Sequence, residues 1–369
     1  MSLPRTNSTP RGLRLVHSPA PQYSIVEVDP LVDPSWQQLL ERVDSSVFHS
    51  PAWMTVLAKT YDFEPAALVV LDGTGEPVAG IPFVRVADLI GERVVSLPFS
   101  DYCDPLVGDR ETWEGLAARL LSEECPVVLK CLHNDVPLSD GRFTLANRAK
   151  WHGLDLRPEL ESLWKGLDEA ARRAIRKAQK DGVVVRIAED EETLQAFFDM
   201  HLRSRKYKYR LLAQPYQFFQ NIWRLILEPH NGALMVATHE GGVIAGTLYL
   251  EWKDKLFYKF NASIPAYLGH RPNDLMIWEG IRYAKEKGYR YLDFGLSDWD
   301  QEALVQYKRK FASEEKTISI LRHSPSQGPS KQEKEGRALI SRLAELFTDE
   351  GVPDTVTNQA GNLLYRFFV

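Results

Sequence analysis

The chain has few cysteines and no long apolar run. Only three of its 369 residues are cysteine, namely Cys103, Cys125 and Cys131. Because their number is odd and no CxxC spacing occurs, no disulfide framework is indicated, and reduced, mostly structural thiols are expected. No segment is apolar enough for a membrane span, and residues 1–22 carry prolines and polar residues where a signal peptide has an apolar core. We expect a disordered leader over residues 1–22 and a cytoplasmic protein with no integral membrane association.

Motifs for metal binding and for nucleophilic catalysis are also absent. The histidines form no HExxH or HxxxH pair, and no GxSxG occurs. Solvated or core histidines are therefore expected instead of a metal site. The net charge of -5 and the pI near 6.0 exclude a chain that is basic all over. Any contact with nucleic acid must come from a local patch.

The length and the hydrophobic pattern favour two similar units. A chain of 369 residues with 44% hydrophobic residues is globular and too long for one ordinary core. In the first half, the pattern predicts three strands, a helix and a fourth strand, over residues 65–71, 78–86, 94–97, 111–124 and 127–132. The second half repeats this plan, with strands over residues 234–239, 243–252 and 256–262. We predict a tandem repeat with a boundary near residues 147–158; the alternative is a single large α+β sheet.

The segment that follows the strand at residues 256–262, the last of a meander of three strands, holds a compact helix–strand unit. Asp274 is predicted to cap a helix that stops before Gly288, and a short aromatic strand over residues 289–294 leads to Gly295. A glycine at the carboxyl end of a strand permits the close backbone approach that a ligand crevice needs. The stretch before the helix, residues 269–273, lacks the RxxGxG pattern of a coenzyme A cradle, and its proline removes a backbone donor. This argues against acyl-CoA, although Arg271 can still grip a phosphate through its side chain.

Two basic clusters stand out in this acidic chain. One lies on a predicted helix over residues 168–181, where the cationic side chains are Arg172, Arg173, Arg176, Lys177 and Lys180. The other interleaves cations with Tyr207 and Tyr209, and consists of Arg203, Arg205, Lys206, Lys208 and Arg210. Charges for phosphates and rings for stacking predict a polyanion contact. The alternative is a solvated charged face.

Three segments together resemble the Fem-type aminoacyltransferases, which are tandem relatives of the GNAT acetyltransferase fold. They are PFSDYCDPLV at 98–107, RRAIRKAQKDGVVV at 172–185 and DFGLSDWDQEALVQYKRKF at 293–311. The resemblance extends from about Phe48 to the C-terminal NLLYRFF. It implies an α+β fold of two tandem GNAT-like domains, with mixed sheets flanked by helices. Residues 23–150 are expected to form the first domain on the acceptor side, 151–325 the donor and catalytic domain, and 326–369 a C-terminal helix and tail packed on the body.

The resemblance also implies an activity. It is the transfer of an amino acid from aminoacyl-tRNA to an amine of a peptidoglycan-type precursor, which forms a peptide bond without a cofactor. The acceptor is expected to be a UDP-linked or lipid-linked peptide or amino sugar, and the protein a monomer. The runner-up is an N-acyltransferase that uses acyl-CoA or acyl carrier protein on an amino sugar, lipid or polysaccharide precursor. A third interpretation is a non-catalytic protein that binds RNA or a precursor on a decayed transferase fold.

The same resemblance implies roles for individual residues. Lys308 matches the lysine that stabilises the oxyanion at the attacked ester, and Tyr307 holds the aromatic place beside it. Asp101 and Tyr102 match acceptor-facing positions, while Cys103 replaces a small glycine and leaves the shape of that pocket open. The catalytic candidates are Lys308, Asp101 and Tyr258; the substrate-binding candidates are Tyr102, Arg173, Lys177, Arg210, Arg271 and Tyr307.

Several of these residues also have plain structural interpretations. An aminoacyl ester is already activated, so its aminolysis needs alignment, oxyanion stabilisation and a route for one proton. Asp101 can orient or deprotonate the incoming ammonium, or it can simply form a turn after Ser100. Tyr102 can belong to the core. For the acidic residues around Gly295, loop capping is favoured over metal binding, and for Trp299 packing is favoured over stacking on a base.

Overall fold

Alternating apolar residues produce strands that join into one mixed sheet. The computed structural model describes residues 23–326 and 328–369, so the predicted leader lies outside the described residues. Twelve strands in this part of the chain pair in the order β1-β2-β3-β4-β5-β12-β6-β11-β10-β9-β8-β7. The strands are β1 (Ser24–Val28), β2 (Pro65–Leu71), β3 (Pro77–Asp88), β4 (Gly91–Val95), β5 (Val127–Cys131), β6 (Thr144–Asp155), β7 (Val184–Ile187), β8 (Gly232–His239), β9 (Gly242–Trp252), β10 (Lys255–Ser263), β11 (Tyr291–Asp298) and β12 (Glu314–His323).

Helices cover both faces of the sheet. The α-helices are α1 (Pro34–Arg42), α2 (Pro51–Tyr61), α3 (Arg110–Leu121), α4 (Leu160–Gly166), α5 (Glu169–Lys180), α6 (Glu191–Arg203), α7 (Tyr216–Ile222), α8 (Pro272–Glu286), α9 (Glu302–Arg309), α10 (Lys331–Phe347) and α11 (Asp354–Leu364). The apolar stripes of α5 and α8 pack on one face of the second half, with Ile175 and Ile281 fully buried among Leu256 and Leu292. Among the described residues, no helix has the length and apolar character needed to cross a lipid bilayer.

The two halves of the sheet follow the same plan and exchange their last strands. β1 to β5 and β7 to β11 each form an antiparallel meander that ends in a parallel pair, β4–β5 and β10–β11. The strand that completes each half comes from the other half, because β12 pairs with β5 and β6 pairs with β11. The α+β fold with a mixed sheet is therefore confirmed. The expected domain limit after residue 150 falls inside β6, and the division into domains stays a prediction.

The helix–strand unit after the second meander differs in detail from the prediction. Asp274 is not the cap of α8, because the helix begins two residues earlier at Pro272, and Asp274 is buried in its first turn. Arg271 takes the capping position with a left-handed φ of 59°, and the fixed φ of proline suits the first helical position. The following strand was expected to end before Gly295, but β11 continues through this glycine to Asp298.

Candidate active site

The parallel strands β10 and β11 separate at their carboxyl ends. They pair only where Lys255–Phe257 face Tyr291–Asp293. Beyond this point, the register of β10 against β9 shifts between Tyr258 and Phe260, and that of β11 against β6 shifts between Asp293 and Leu296. Such irregularities re-aim side chains and end pairing, and the carboxyl ends of parallel strands are a common place for a ligand. The opening between these two strands is therefore the natural place for a site.

Gly295 stands at the centre of the irregular part of β11. Its φ of +65° lies in the left-handed region, where a side chain is strained. A Cβ atom at this position would lie 2.4 Å from Asp101 Oδ2. Both the backbone conformation and the close approach of Asp101 therefore require glycine here.

Lys308 from α9 points its ammonium at this irregular backbone. Lys308 is 4% exposed, and Nζ donates hydrogen bonds to the carbonyl oxygens of Gly295 at 3.2 Å and Leu296 at 2.8 Å. Burial lowers the pKa of Lys308 to about 8, although the carboxylates of Asp101 and Asp293 act in the opposite direction. Lysine is thus held as a poorly solvated cation, which is mostly protonated at neutral pH.

Asp101 reaches the same backbone from the first half of the chain. Its Oδ1 forms an ion pair with Lys259 of β10, and its Oδ2 accepts a 3.4 Å hydrogen bond from the amide of Leu296. The side chain of Lys259 is 5% exposed, and its ammonium also lies 4.8 Å from the ring centroid of Phe48. Sequence reasoning missed Lys259; its position next to Tyr258 on a predicted buried strand was the available signal.

A second carboxylate, Asp293, joins the two halves. The hydroxyl of Tyr102 donates a 2.7 Å hydrogen bond to Asp293 Oδ2, and the amide of Gly295 donates one of 2.6 Å to Oδ1. Asp293 is 3% exposed, and burial raises its pKa to about 6, while the bond from Tyr102 lowers it. The sequence favoured loop capping for Asp293, and its contact with Gly295 is of that kind. Its burial beside Lys308 adds a group that titrates near neutral pH.

Three elements of this region, β6, β11 and α9, carry buried polar atoms without hydrogen-bond partners. Within the described residues they include His152 Nδ1, Ser297 Oγ and the hydroxyl of Tyr307. His152 lies on β6 directly opposite the irregular part of β11, because its neighbours on β6 pair with Asp293 and Leu296. Since buried polar groups in folded proteins are almost always hydrogen-bonded, these three atoms are free to contact a substrate.

The fold is similar to that of several solved structures. The structure aligns with a crystal structure of FemX at a TM-score of 0.62 and 14% identity, over 86% of this chain and 100% of that one. It also aligns with L-PGS from Bacillus licheniformis at 0.53 and 13%, over 85% and 97% of the two chains. A tandem GNAT protein from the clavulanic acid biosynthesis pathway gives 0.53 and 12%, over 84% and 100%. The chain has the tandem GNAT fold.

A family model supports the same assignment in the second half. Residues 168–309 match the model of the acetyltransferase (GNAT) domain. Curated proteins provide no significant match to the chain. The Fem-type resemblance seen in the sequence is thus confirmed at the level of the tandem GNAT fold.

The aromatic candidates lie on the α8 side of the opening in this GNAT domain. Tyr258 is half-buried between Tyr249 and Phe294, with ring centroids at 5.8 and 6.1 Å. Burial raises the pKa of Tyr258 and of Tyr307, and in both cases the carboxylate of Asp274 raises it further. The two tyrosines therefore share one environment near the first turn of α8.

Arg271 stands at the N-cap position of that helix. Its cationic side chain lowers the pKa of the buried Asp274, although burial, the larger effect, raises it. Because Asp274 in turn acts on Tyr258 and Tyr307, the structure brings Arg271 and these two tyrosines together around one carboxylate.

The basic candidates on α5 and after α6 are engaged in ion pairs. Arg173 pairs with Glu169, Lys177 with Asp181 at 2.6 Å, and Arg210 with Glu350. These three cations are exposed and lie in two different parts of the surface, so the structure does not gather them at the opening.

The second basic cluster holds the C-terminal segment of the GNAT fold in place. Lys206 is fully buried, and its ammonium lies 2.9 Å from Asp354 Oδ1, which also accepts a 2.7 Å hydrogen bond from the hydroxyl of Tyr207. Arg210 NH1 donates to the carbonyl of Thr348. These contacts give the cluster a structural role, while a polyanion contact of the cations on α5 stays a prediction. In the described ranges, no group of three or more His, Cys, Asp or Glu side chains is arranged to hold a metal ion.

Proposed function

We propose that the protein transfers an amino acid from aminoacyl-tRNA to an amine of a peptidoglycan-type precursor. The observation that carries this proposal is the buried ammonium of Lys308 at the open end of β10 and β11. The acceptor is a UDP-linked or lipid-linked peptide or amino sugar, and the reaction forms an amide bond. No nucleophilic residue of the protein is required, because the donor ester is already activated.

Lys308 stabilises the negative charge that develops on the ester carbonyl oxygen. A fixed positive charge in a poorly solvated site is worth more than the same charge in water, because it needs no reorganisation during the reaction. The amine nitrogen attacks the carbonyl carbon, the C–N bond forms, and the C–O bond to the ribose breaks. Asp293 accepts the proton that nitrogen loses, because its pKa of about 6 leaves it ionised at neutral pH. Asp293 then gives this proton to the ribose oxygen, which leaves as a hydroxyl group.

The chemistry of two helix N-termini supports a donor other than coenzyme A. The helix that connects the two strands of each parallel pair begins with a carboxylate. Asp109 caps α3, between β4 and β5, by accepting from the amide of Thr112 at 2.9 Å, and Asp274 lies in the first turn of α8, between β10 and β11. Helices that bind phosphate offer free backbone amides at their N-termini. Here a pyrophosphate would instead lie next to a carboxylate, which disfavours its binding. Pro272 also removes one amide from the first turn of α8.

The experiment that tests the proposal compares two donors in parallel. Purified protein is incubated with a pool of charged tRNAs or with a panel of acyl-CoAs, and with UDP-linked peptides and amino sugars as acceptors. Label transferred from tRNA, and lost on ribonuclease treatment, is the expected result. Product from acyl-CoA alone overturns the proposed donor.

The second candidate is an N-acyltransferase that uses acyl-CoA or acyl carrier protein on an amino sugar, lipid or polysaccharide precursor. Its support is the match of residues 168–309 to the acetyltransferase domain, together with Arg271 at the start of α8. The guanidinium of Arg271 can bind a phosphate through its side chain. In the same assay, this candidate predicts product that needs Arg271 and no tRNA.

A further inference from the structure

The central strand β6 has an unpaired edge next to the opening. It pairs with β12 down to Thr144, but with β11 only as far as Ala149, which faces Asp298. Residues 144–148 therefore have a strand neighbour on one side only. Apart from the ladder with β12, their backbone groups make one hydrogen bond in the described part of the chain. The amide of Arg148 donates it to Asn147 Oδ1, at 2.8 Å. An open edge of this kind offers alternate amides and carbonyls to another strand.

A cavity follows this edge. It has a volume of about 410 Å³ and is lined by Leu145, Ala146, Asn147, Arg148 and Trp299. Two of these side chains are large, apolar and exposed, since Leu145 is 45% and Trp299 47% accessible. The indole ring lies 4.4 Å from Lys150 Nζ, a cation–π contact that fixes its position beside the strand. The edge therefore has an apolar wall as well as free backbone groups.

The positive charge at this edge favours a partner that carries a negative charge. Arg148 is exposed and has no acidic partner within the described residues. Neighbouring Lys150 is paired with Glu315 at 2.6 Å, so Arg148 provides the available positive charge. A guanidinium of this kind forms strong, directed hydrogen bonds with carboxylates. The edge is complementary to an extended chain that bears a carboxylate.

We propose that residues 144–148 bind the acceptor as an extended peptide, which adds a strand to β6 in line with β11. Main-chain hydrogen bonds supply affinity, Trp299 packs against one side chain, and Arg148 binds a carboxylate. The inference rests on the proposed function for the role of this peptide as acceptor, and goes beyond it by assigning the binding site and mode. An RNA or a lipid head group does not pair with a strand edge through alternate amides.

The register brings such a peptide to the reaction centre. Lys308 binds the carbonyl of Leu296, and Leu296 faces Trp151 on β6. Arg148 lies three residues farther along β6, which corresponds to about 10 Å at the rise of a strand. A peptide residue paired opposite Arg148 therefore lies about 10 Å along the strand from the level of Lys308, so the acceptor amine must be carried there by a long side chain or by the end of the peptide.

The test measures peptide binding in the absence of any donor. The probes are fluorescein-labelled seven-residue peptides from a pooled library, each with one Glu and one Lys at varied spacing, and the readout is fluorescence anisotropy. For the tightest binder, Arg148→Glu weakens binding by about tenfold or more, because a charge-assisted hydrogen bond is lost. Replacing the Glu of the peptide with Lys restores binding to this variant. The matched control is Arg186→Glu on the outer edge strand β7, which leaves the affinity unchanged.

Backbone methylation tests strand addition itself. Only alternate amides of an added strand face β6. N-methylation of the amides of odd-numbered residues and of even-numbered residues should therefore differ, and one of the two sets abolishes binding while the other does not. Equal effects of the two sets, or an affinity insensitive to Arg148→Glu, overturn the peptide site. Transfer from acyl-CoA to a bound peptide contradicts the proposed donor and leaves the peptide site intact. Transfer from tRNA to an amino sugar without peptide contradicts the peptide site alone.

Discussion

Tyr102 of the first half donates a 2.7 Å hydrogen bond to Asp293 of the second half. The bond joins residues that are 191 positions apart in the chain. It ties the loop that carries Asp101 to the strand whose backbone binds Lys308. The two halves thus share one charged centre, and the protonation of Asp293 depends on a residue from the other half.

The first prediction concerns this bond. Tyr102→Phe removes a hydrogen bond that lowers the pKa of Asp293, so the carboxyl should titrate above its present value of about 6. If Asp293 accepts the proton, the acidic limb of the kcat/KM profile moves to higher pH. Tyr216→Phe, which removes a hydroxyl on the distant helix α7, serves as the control and leaves the limb in place. An unchanged acidic limb in Tyr102→Phe argues against Asp293 as the proton acceptor.

The second prediction concerns Lys308. Lys308→Met removes the charge at the oxyanion and should lower kcat by roughly 100- to 1000-fold, the usual effect of losing one such donor. In the native protein, activity should also fall above pH 8, as Lys308 loses its proton. Lys334→Met on the exposed face of α10 is the matched control. A variant that keeps near-native kcat in a single-turnover assay rules out this role for Lys308.

The third prediction separates the activity of Lys308 from its effect on stability. Its pKa of about 8 in the folded protein, against an ordinary value of 10.5, means that burial disfavours the ammonium by about 3 kcal/mol at neutral pH. Because the unfolded chain binds the extra proton between pH 8 and 10.5, this cost disappears as pH rises through that range. Lys308→Met should therefore unfold at pH 7 at the same temperature as the native protein or above it.

The measurement is differential scanning calorimetry at pH 7 and pH 10. The gain in stability over the native protein should be smaller at pH 10 than at pH 7. A variant that is strongly destabilised at pH 7 indicates that the hydrogen bonds to Gly295 and Leu296 outweigh the cost of burying the charge.

The fourth prediction concerns Gly295. Gly295→Ala introduces a Cβ that meets Asp101 Oδ2 at 2.4 Å, at a φ of +65°. The carboxylate must move, so its contacts with Lys259 and Leu296 weaken, and activity should fall at least tenfold with a loss of about 1–3 kcal/mol in stability. Gly182→Ala is a useful control, since its φ of +77° is also left-handed but nothing lies within 4 Å of the added atom. Equal activity losses in both variants argue against a specific contact with Asp101.

The fifth prediction concerns acid sensitivity. His201 is buried, its Nε2 lies 2.8 Å from Gln214 Oε1, and burial lowers its pKa to about 3. The unfolded chain takes up this proton near pH 6.5 and the folded protein does not, so stability falls as pH drops from 6.5 toward 3. His201→Leu should reduce the slope of unfolding free energy against pH in this window by about one proton. Urea titrations at pH 7, 6 and 5 measure the slope, and an unchanged slope contradicts the assignment.

Local patterns in the sequence were sufficient to predict most helices and strands. Apolar alternation marked the strands of both meanders, and the apolar stripe of α5 was predicted with its limits at Asp168 and Asp181, which cap the helix. Lys308 was reached through the family resemblance. These features depend on a few neighbouring residues, which a single sequence records directly.

Features that depend on pairing between distant strands were not predicted. His152 is part of the site because β6 crosses to the second half and faces the irregular stretch of β11. Lys259 is part of it because Asp101 arrives from the first half. In the same way, the cationic residues around Lys206 suggested a phosphate site, and their acidic partners lie 140 residues or more away. Such relationships are fixed by tertiary packing and leave no local pattern.

The exchange of β6 and β12 makes the two halves mutually dependent for folding. In a fragment that ends before β12, β5 lacks the strand that pairs with its outer edge. In a fragment that begins after β6, β11 lacks its partner strand in the same way. Each fragment alone then exposes the backbone of a central, apolar strand, which promotes aggregation. Fragments divided in the segment between β6 and α4 should instead rescue one another when produced together, since each carries the strand that the other lacks.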